Sequence, residues 1–415
     1  MKIKLDIKKL GDKEFLKGLL IAADKYLDAF WIGEEEEKQV LEVIRSKRLG
    51  TKIGNKTKIF ENKVAKYQDA KFAIATSSES TALSLCMAAL AGPGDEVLIP
   101  AISSLATANC IVYNNAIPIF VDINPKTLNM DPNDLSKKIT DRTKAIIAVH
   151  IYGCPAEIDQ IKNIAEENNI IVVEDCALAM GAEYSGKKVG TLGDIACFSF
   201  GAGKQLFTGE GGMITTNNEE LAESISERNH HYGTQRNGRL IGTAEILGYN
   251  YKPTELTSAV GIAQMEKIDL LNQKRIDNSE YLSNGLANLD NIELPFVPDN
   301  VKHVFNEYMI KIDETKANLT RDELWKALVK KGFMADPLFD TPMYLEPSFR
   351  NKIGHGHGTH CPFNCPLYQG TVNYEDGLCP IAENVLKKVL TISPHPGLNK
   401  KDLDKIISTI RNLIN

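Results

Sequence analysis

The sequence lacks several features that would place the protein in a special class. No apolar run approaches the roughly 18 residues that a membrane-spanning helix needs. The N-terminal stretch, MKIKLDIKKLGDKEF, has no apolar core and no small-residue cleavage site, so we expect no signal peptide. There is no internal repeat and no low-complexity tract. These absences favour an ordinary globular protein, which we expect to lie in the cytoplasm.

An excess of basic residues is also missing. The 48 Lys and Arg residues are outnumbered by 54 Asp and Glu residues, giving a formal net charge of -6. This balance argues against nucleic acid, and against an anionic membrane surface, as a partner. The eight cysteines are scattered, several within strand-like apolar runs, which indicates reduced thiols rather than a disulfide framework.

Hydrophobic patterning indicates an α/β fold. Short runs rich in Val and Ile alternate with helical patterns, at residues 72–76, 96–100, 117–122, 145–150 and 170–175. Runs of this kind predict a mostly parallel sheet covered by helices on both faces. We place a helical arm at 1–60, a large domain at 61–285 and a smaller α+β domain at 286–415. Residues 336–378, rich in Gly, Pro, His and Cys, are typical of a functional or mobile loop.

Three short features suggest a common chemistry. Lys204 lies in the run SFGAGKQLFTGEGG, between two predicted strands, where a primary amine makes sense if it forms a Schiff base with an aldehyde. The turn SSEST at 77–81 follows a strand and opens an apolar helix, which is the setting of an anion site. A serine N-cap is a commoner reason for such residues. Asp175 ends a strand, at the sheet edge where sites in such folds lie, although it could also cap a helix.

Pyridoxal phosphate requires these three features together. Its phosphate needs N–H groups and hydroxyls, its aldehyde needs an amine, and its ring nitrogen needs an ionised carboxylate to stay protonated. We therefore predict pyridoxal 5'-phosphate as the cofactor.

The chain resembles the DegT/StrS-type aminotransferases over roughly residues 30 to 410, with the order and spacing of the motifs kept. The motifs are GPGDEVLIPA at 92–101, AVHIYGCPAEIDQI at 148–161, EDCALAMGA at 174–182, FSFGAGKQLFTGEGG at 198–212 and LGYNYKPTELTSAVGIAQ at 247–264. The resemblance implies the type I fold of pyridoxal-phosphate transferases, with a mostly parallel seven-stranded sheet. It also implies a homodimer with shared active sites that moves an amino group from glutamate or glutamine to a keto sugar, nucleotide-linked or free, or to a cyclitol.

The resemblance also implies the roles of individual residues. Lys204 is then the Schiff-base lysine and proton shuttle, and Asp175 pairs with the ring nitrogen. The hydroxyls of Ser199 and Ser80, with the backbone at Glu79, hold the phosphate. Asn250, presented by the dimer partner, reaches the same phosphate. Taken alone, Ser199 could be a buried hydroxyl and Asn250 a turn residue.

Several positions depart from the family pattern. Glu79 replaces a usual glycine, and a carboxylate beside a phosphate is unfavourable unless its side chain points away. Ser104 stands where an aromatic residue usually stacks on the cofactor ring, and Leu178 where a glutamine usually touches the ring hydroxyl. Gly201 and Lys252 are also unusual. We therefore expect a working cofactor site with unusual contacts and weakened cofactor retention.

Two further groups of residues remain to be assigned. We place His230, Tyr249 and Lys252 on the substrate side, although His230 could equally belong to a solvated turn. A second group could suggest a zinc site, but its histidines are too tightly bunched for the usual paired spacing, so we predict no metal. That group is His355, His357, His360, Cys361 and Cys365.

Two alternative functions stay open. One is a different pyridoxal chemistry, such as aromatisation of an amino-cyclohexenone or a dehydration, because residues 379–398 are most like the branch acting on cyclitols and aminohydroxybenzoate precursors. A related dehydratase branch replaces the lysine with histidine, so Lys204 argues against dehydration. The other alternative is a non-catalytic regulatory protein that kept the fold; Ser104 and Leu178 favour it, and Lys204 argues against it.

Overall fold

The computed structural model describes residues 12–27, 31–230, 235–236, 239–240 and 246–414. The helices are α1 Lys13–Leu27, α2 Glu34–Ser46, α3 Lys56–Gln68, α4 Glu79–Leu90, α5 Leu105–Tyr113, α6 Pro132–Lys138, α7 Ile158–Glu167, α8 Glu219–Asn229, α9 Glu255–Met265, α10 Ile268–Leu286, α11 Arg321–Lys330, α12 Pro347–Arg350, α13 Pro380–Val385 and α14 Lys400–Ile414. The strands are β1 Phe72–Thr76, β2 Glu96–Pro100, β3 Ile117–Val121, β4 Thr143–Val149, β5 Ile171–Asp175, β6 Glu183–Tyr184, β7 Lys187–Lys188, β8 Ile195–Ser199, β9 Gly212–Thr216, β10 Gln235–Arg236, β11 Arg239–Leu240, β12 Ile292–Glu293, β13 Val301–Lys302, β14 Tyr308–Ile312, β15 Ala335–Asp336 and β16 Val389–Ile392.

The centre of the molecule is a seven-stranded sheet with the strand order β1-β9-β8-β5-β4-β2-β3. The pairs β2–β3, β2–β4, β4–β5 and β5–β8 are parallel, and β9 runs antiparallel to both of its neighbours. The predicted α/β fold with a mostly parallel seven-stranded sheet is confirmed.

Helices cover both faces of this sheet, and the residues of β4 show why. Ala145, Ile147 and Val149 belong to the apolar cluster on one face, which also includes residues of α4, α5 and α8. Ile146 and Ala148, which alternate with them, belong to the cluster on the other face, with residues of α3, α7 and α9. A strand with apolar residues at every position is stable only where both of its faces are buried.

A second, smaller sheet has the antiparallel order β12-β14-β16-β15. Its strands share an apolar cluster with residues of α10, α11 and α14, which fits the predicted smaller α+β unit. The first helix also lies at this unit, where Phe15 of α1 meets the ring of Trp325 in α11 edge to face, with centroids 5.5 Å apart. Among the residues that the structure describes, no helix combines the length and hydropathy of a membrane span.

Three strands bring the predicted site residues to one edge of the large sheet. β1, β5 and β8 end there, at Thr76, Asp175 and Ser199, respectively. Gly212, at the start of β9, pairs with both Thr76 and Ser199. A Cβ atom on Gly212 would lie 2.5 Å from the carbonyl carbon of Ser78, so glycine allows the turn after β1 to approach β9 closely.

Candidate active site

Lys204 lies in the connection between β8 and β9, at the carboxyl edge of the large sheet. Two side-chain hydrogen bonds tie this connection to other segments: Gln205 Nε2, within it, donates to the Leu178 carbonyl at 2.8 Å, and Asn306 Nδ2 donates to the Gly203 carbonyl at 2.7 Å. Within the described part of the chain, no hydrogen bond or ion pair holds the Lys204 amine. The backbone around the lysine is therefore anchored while its amine stays available for chemistry.

Asp175 is held at the end of β5 as a buried hydrogen-bond acceptor. Its side chain is only 3% exposed. Thr107 Oγ1, from the first turn of α5, donates to Asp175 Oδ2 at 2.9 Å, and the Ala177 N–H donates to Oδ1 at 3.1 Å. Two donors on two oxygens suit an ionised carboxylate, because that form can only accept. Sequence reasoning missed Thr107, which has no signal of its own in the helix after β2.

Glu79, the first residue of α4, links the lysine and the aspartate. Its side chain is buried, and Oε1 has no hydrogen-bond partner among the described residues. Burial raises the pKa of Glu79 well above its ordinary value, and the charge of Asp175 and a hydrogen bond to it act in the same direction. The positive charge of Lys204 lowers the same pKa. Lys204 and Asp175 therefore both lie within electrostatic reach of one carboxyl group.

A second carboxyl group, Glu307, also interacts with Lys204. Burial raises the pKa of Glu307 to about 7, while the nearby charges of Arg275 and Lys204 lower it and that of Asp336 raises it. The side chain of Arg275 is itself 2% exposed and donates through Nη1 to the Asn306 carbonyl at 3.4 Å. The sequence holds a signal for Glu307 that we did not use: this charged residue interrupts the largely apolar run FNEYMI at 305–310.

The turn after β1 offers unused donors at the same edge. Ser78 caps α4, with its Oγ accepting from the Thr81 N–H at 3.2 Å. The N–H groups of Glu79 and Ser80 precede the first bond within the helix, and such groups attract anions. The hydroxyls of Ser80 and Ser199 have no hydrogen-bond partner in the described ranges. These donors suit a phosphate group.

Comparison with known proteins decides the family. Residues 31–362 match the DegT/DnrJ/EryC1/StrS aminotransferase family. The chain belongs to this family. It is 36% identical over 359 residues to the GDP-perosamine synthase of Caulobacter vibrioides, covering 86% of this chain and 89% of that protein.

Solved structures agree with this assignment. The 3-amino-5-hydroxybenzoic acid synthase structure superposes with a TM-score of 0.82 at 25% identity, covering 92% of this chain and 96% of that one. The putative sugar aminotransferase Spr1654 of Streptococcus pneumoniae, solved in its PLP form, superposes with a TM-score of 0.80 at 25% identity, covering 92% and 96%. This protein is an aminotransferase, a transferase of nitrogenous groups.

The residues of this aminotransferase fit pyridoxal phosphate on observations from its own structure. Lys204 has a free amine for the aldehyde, and Asp175 is a buried acceptor for a ring N–H. The N-terminus of α4 and the hydroxyls of Ser80 and Ser199 offer donors for the phosphate. Oε1 of Glu79 is buried at the same sheet edge and has no hydrogen-bond partner among the described residues.

Three other residues were predicted to contact the cofactor or its phosphate. Ser104 is exposed and caps α5, accepting from the Ala106 N–H at 3.4 Å. Leu178 is buried, and its carbonyl anchors the lysine connection. Asn250 is exposed with a φ of 59°, and its side-chain oxygen accepts from Lys252 Nζ of the same chain. Their proposed contacts with the cofactor stay predictions.

The predicted substrate residues lie beside the edge strand β1. His230 and Lys252 line a groove of about 610 Å³ that follows residues 72–75, and neither Lys204 nor Asp175 lines it. Tyr249 is exposed and stacks on Tyr251, with ring centroids 5.3 Å apart. None of these contacts joins the three residues to Lys204, so their substrate role stays a prediction. Residues 231–234, next to His230, lie outside the described residues.

The histidine-rich stretch does not converge on a metal site. His355 Nε2 lies 3.1 Å from Asn115 Oδ1, and His360 Nδ1 lies 2.9 Å from the Lys352 carbonyl oxygen. Across the described ranges, the one group with metal-ligand geometry is the buried set His150, Glu174 and Cys176. Two of its three residues are already engaged, because Glu174 accepts from His150 and from the N–H groups of residues 190, 192 and 193. This set is a structural hydrogen-bond network.

Proposed function

We propose that this protein is a pyridoxal-phosphate-dependent aminotransferase that moves an amino group from glutamate or glutamine to a keto sugar. One observation carries the proposal: Lys204, whose amine is held by no side chain among the described residues, and the acceptor carboxylate of Asp175 both act electrostatically on the buried Glu79 at the carboxyl edge of the sheet. Sites in doubly wound sheets lie at this edge. The PLP form of a structural neighbour at 25% identity supports the same cofactor.

The cofactor, when bound, supplies an aldehyde that condenses with amines and a ring that takes up the electron pair of a broken C–H bond. Asp175 would hold the proton on the ring nitrogen, since its carboxylate is buried and accepts a hydrogen bond from Thr107. The donors at the start of α4, with Ser80 and Ser199, would hold the phosphate.

Lys204 would move the protons of the reaction. In the first half-reaction its amine would remove the proton from the α carbon of the amino donor; the nitrogen of the donor would stay in the site, and water would supply the oxygen of the keto acid that leaves. In the second half-reaction it delivers a proton to the carbon of the acceptor that receives the nitrogen, and the carbonyl oxygen leaves as water. A lysine can serve both steps because no side chain among the described residues ties up its amine.

The relatives narrow the acceptor class. The Caulobacter relative, a GDP-perosamine synthase, is named for a nucleotide-linked amino sugar. We therefore infer that the acceptor is a keto sugar, nucleotide-linked or free. A cyclitol, or an aminohydroxybenzoate-type ring substrate, is the second candidate, favoured by the superposition on 3-amino-5-hydroxybenzoic acid synthase.

We also propose that the protein works as a homodimer with shared sites. In this chain Asn250 is exposed and bonds only to Lys252 among the described residues, so its side chain can be offered to another subunit. The acidic net charge of -6 argues against nucleic acid as a partner.

Substitution of the lysine tests the function. Purified wild-type protein mixed with pyridoxal phosphate should develop the visible absorption band of a lysine-bound aldehyde, and the band should shift when glutamate or glutamine is added. Lys204→Ala should abolish both the band and transamination, because no amine remains to react. The measurements are absorption spectra and an assay of keto-acid formation with keto-sugar acceptors.

Lys187→Ala is the matched control, because Lys187 is an exposed lysine on β7, away from the sheet edge that holds Lys204. It should keep the band and the activity. Transamination that survives in Lys204→Ala would end the assignment of this lysine. A band that ignores every amino donor would favour a non-catalytic member of the fold.

A further inference from the structure

The first helix, α1, precedes residues 31–362, the part of the chain that matches the family. It is nevertheless fixed closely to the smaller unit. In its last turn, Lys25 forms an ion pair with Asp402 of α14. Further up the helix, Gly18 allows a close approach to α11, because a Cβ atom there would lie 1.9 Å from the Val329 carbonyl oxygen. The position of α1 on the smaller unit therefore depends on specific residues of both.

The end of α1 brings Tyr26 to the connection that carries Lys204. A Cβ atom added to Gly203, the residue before the lysine, would lie 2.9 Å from the hydroxyl oxygen of Tyr26, which is closer than Cβ atoms approach other atoms. Gly203 also has a φ of 88°, in the left-handed region that favours glycine. The hydroxyl of Tyr26 therefore lies directly against the backbone next to Lys204, at a position where only glycine leaves room for it.

Two further contacts hold Tyr26 and Gly203 in this arrangement. The ring of Tyr26 meets the imidazole of His395 edge to face, with centroids 5.1 Å apart and an interplanar angle of 82°. His395 follows β16 of the smaller sheet and is 2% exposed. Asn306, which precedes β14, donates from Nδ2 to the Gly203 carbonyl at 2.7 Å. The residue before the lysine is therefore held both by α1 and by the segment that leads into β14.

The charges around Tyr26 are ones that also act near Lys204. Burial raises the pKa of Tyr26, the charge of Arg275 lowers it, and that of Glu307 raises it. Glu307 is also the carboxyl group whose pKa Lys204 lowers. With its pKa above the ordinary value, the phenol of Tyr26 is neutral at neutral pH. Tyr26 therefore meets the lysine connection as an uncharged hydroxyl.

We propose that Tyr26 is a positioning residue, whose hydroxyl restricts Gly203 and so holds Lys204 where its amine reacts with the aldehyde of the cofactor. This inference rests on the proposed pyridoxal phosphate site. Glycine is the most flexible residue of a chain, so a lysine that follows a glycine gains most from a neighbour that limits the backbone. A correctly placed amine reacts faster than one that must first find its position. α1, which precedes the part matched to the family, would thus contribute to the active site.

The rate at which pyridoxal phosphate attaches to Lys204, followed by absorbance, tests this role. We expect Tyr26→Ala to slow attachment by about tenfold, because the lysine is less well placed. Tyr26→Phe keeps the ring contact with His395 but lacks the hydroxyl, so it should show most of the same slowing, and it replaces Tyr26→Ala if that variant does not fold. Asp24→Ala, at an exposed position of α1, is the matched control and should attach the cofactor as fast as wild type.

Pyridoxamine phosphate separates positioning of the lysine from a general disturbance of the site. It has the same phosphate and ring but cannot react with an amine. We expect its dissociation constant in both Tyr26 variants to stay within about twofold of wild type, since only the placement of Lys204 has changed. Binding of pyridoxamine phosphate that weakens as much as attachment slows would overturn the positioning role.

Urea unfolding without cofactor tests the contact between Tyr26 and Gly203 directly. Gly203→Ala introduces the Cβ atom that would meet the hydroxyl, so we expect it to lower the urea midpoint. Adding Tyr26→Phe to Gly203→Ala should raise the midpoint again, because the opposing oxygen is gone. In the wild-type background, Tyr26→Phe should leave the midpoint unchanged or lower it. An equal shift in both backgrounds would mean that the two residues do not interact, and would overturn the proposal.

The inference and the proposed function fail in different ways. If wild-type protein never attaches pyridoxal phosphate to Lys204, the proposed function falls and this inference falls with it. If wild type attaches the cofactor but the Tyr26 variants attach it equally fast, the role of Tyr26 falls and the function stands.

Discussion

Individual residues of the site were predictable where chemistry leaves little choice. Lys204 and Asp175 were predicted from the requirements of one cofactor. In the structure both act electrostatically on Glu79. The orientation of Glu79 was not predictable, because a charged carboxylate there is unfavourable and only the packed structure shows it beside Asp175. Glu307 and Arg275 were missed for a related reason. They come from segments about a hundred and about seventy residues further along the chain, and only tertiary folding brings them near Lys204.

Glu307 should make the stability of the protein depend on pH. Its pKa is about 7 in the folded protein against 4.5 for an ordinary glutamate, so the unfolded chain releases this proton first. The contribution of this proton to the free energy of unfolding is fully present below pH 4.5 and is lost as the pH rises to about 7. Between these values Glu307 lowers the free energy of unfolding, by at most about 1.4 kcal/mol per pH unit.

We therefore expect the free energy of unfolding of Glu307→Gln to fall less than that of wild type between about pH 5 and about pH 7, the range between the two pKa values of Glu307. Urea unfolding at several pH values, without added cofactor, measures this difference. Glu280→Gln, at an exposed position of α10, should follow the wild-type curve. Parallel curves for Glu307→Gln and wild type would show that Glu307 ionises normally in the folded protein.

At the scale of elements, helices and strands with strong patterns were well predicted. β1 matches the expected residues 72–76, and β2 the expected residues 96–100. The break between α9 and α10, at residues 266–267, was not predicted. No Gly or Pro marks the break; Lys267 lies there and its amine bonds to Glu36 of α2. The small sheet β13-β6-β7 was also missed, because strands of two residues leave no periodicity.

The start of α3 depends on a carboxylate from a distant helix. Its own N-cap, Asn55, makes no side-chain cap. Glu255, at the start of α9 and 1% exposed, instead accepts from the N–H groups of Lys56 and Thr57 and from the Thr57 hydroxyl, at 2.6, 3.1 and 2.6 Å. We expect Glu255→Ala to destabilise the protein by about 2–3 kcal/mol, because buried helix N–H groups lose their acceptor.

Thermal or urea unfolding of the variant measures this effect. Glu266→Ala, just beyond the other end of α9, is the matched control, since Glu266 is 68% exposed in its ion pair with Lys63. The control should change stability by about 1 kcal/mol at most, as exposed ion pairs do. If the two variants unfold alike, Glu255 is not the cap of α3.

At the scale of the whole molecule, segments that are far apart in the sequence pack against each other. The irregular stretch 336–378 lies in the C-terminal third of the sequence, yet Tyr344, Phe349 and Tyr374 pack around Phe120 of β3, in the large sheet. Composition indicated a loop but could not show where it lies, because aromatic contacts across more than two hundred residues leave no local pattern. The sequence also could not show whether Asn250 contacts another subunit. Among the described residues of its own chain, its side chain bonds only to Lys252.

Mixed dimers test whether the active sites are shared. Lys204→Ala and Asn250→Ala chains should each form homodimers with little or no activity. If every site takes Lys204 from one chain and Asn250 from the other, random mixing of equal amounts should restore about a quarter of the sites, since half of the dimers are mixed and each has one intact site. Keto-acid formation by the refolded mixture, with dimers verified by light scattering, measures this recovery.

The matched control mixes Lys204→Ala with Asp175→Asn chains. Both residues belong to the same chain around Glu79, so each site of a mixed dimer keeps one defect and no activity should return. Recovery in this control would mean that Lys204 and Asp175 act from different subunits, against the geometry of the single chain. Mixed dimers of Lys204→Ala and Asn250→Ala that stay inactive would mean that Asn250 serves its own subunit, and that the groove beside β1 is not completed by a partner.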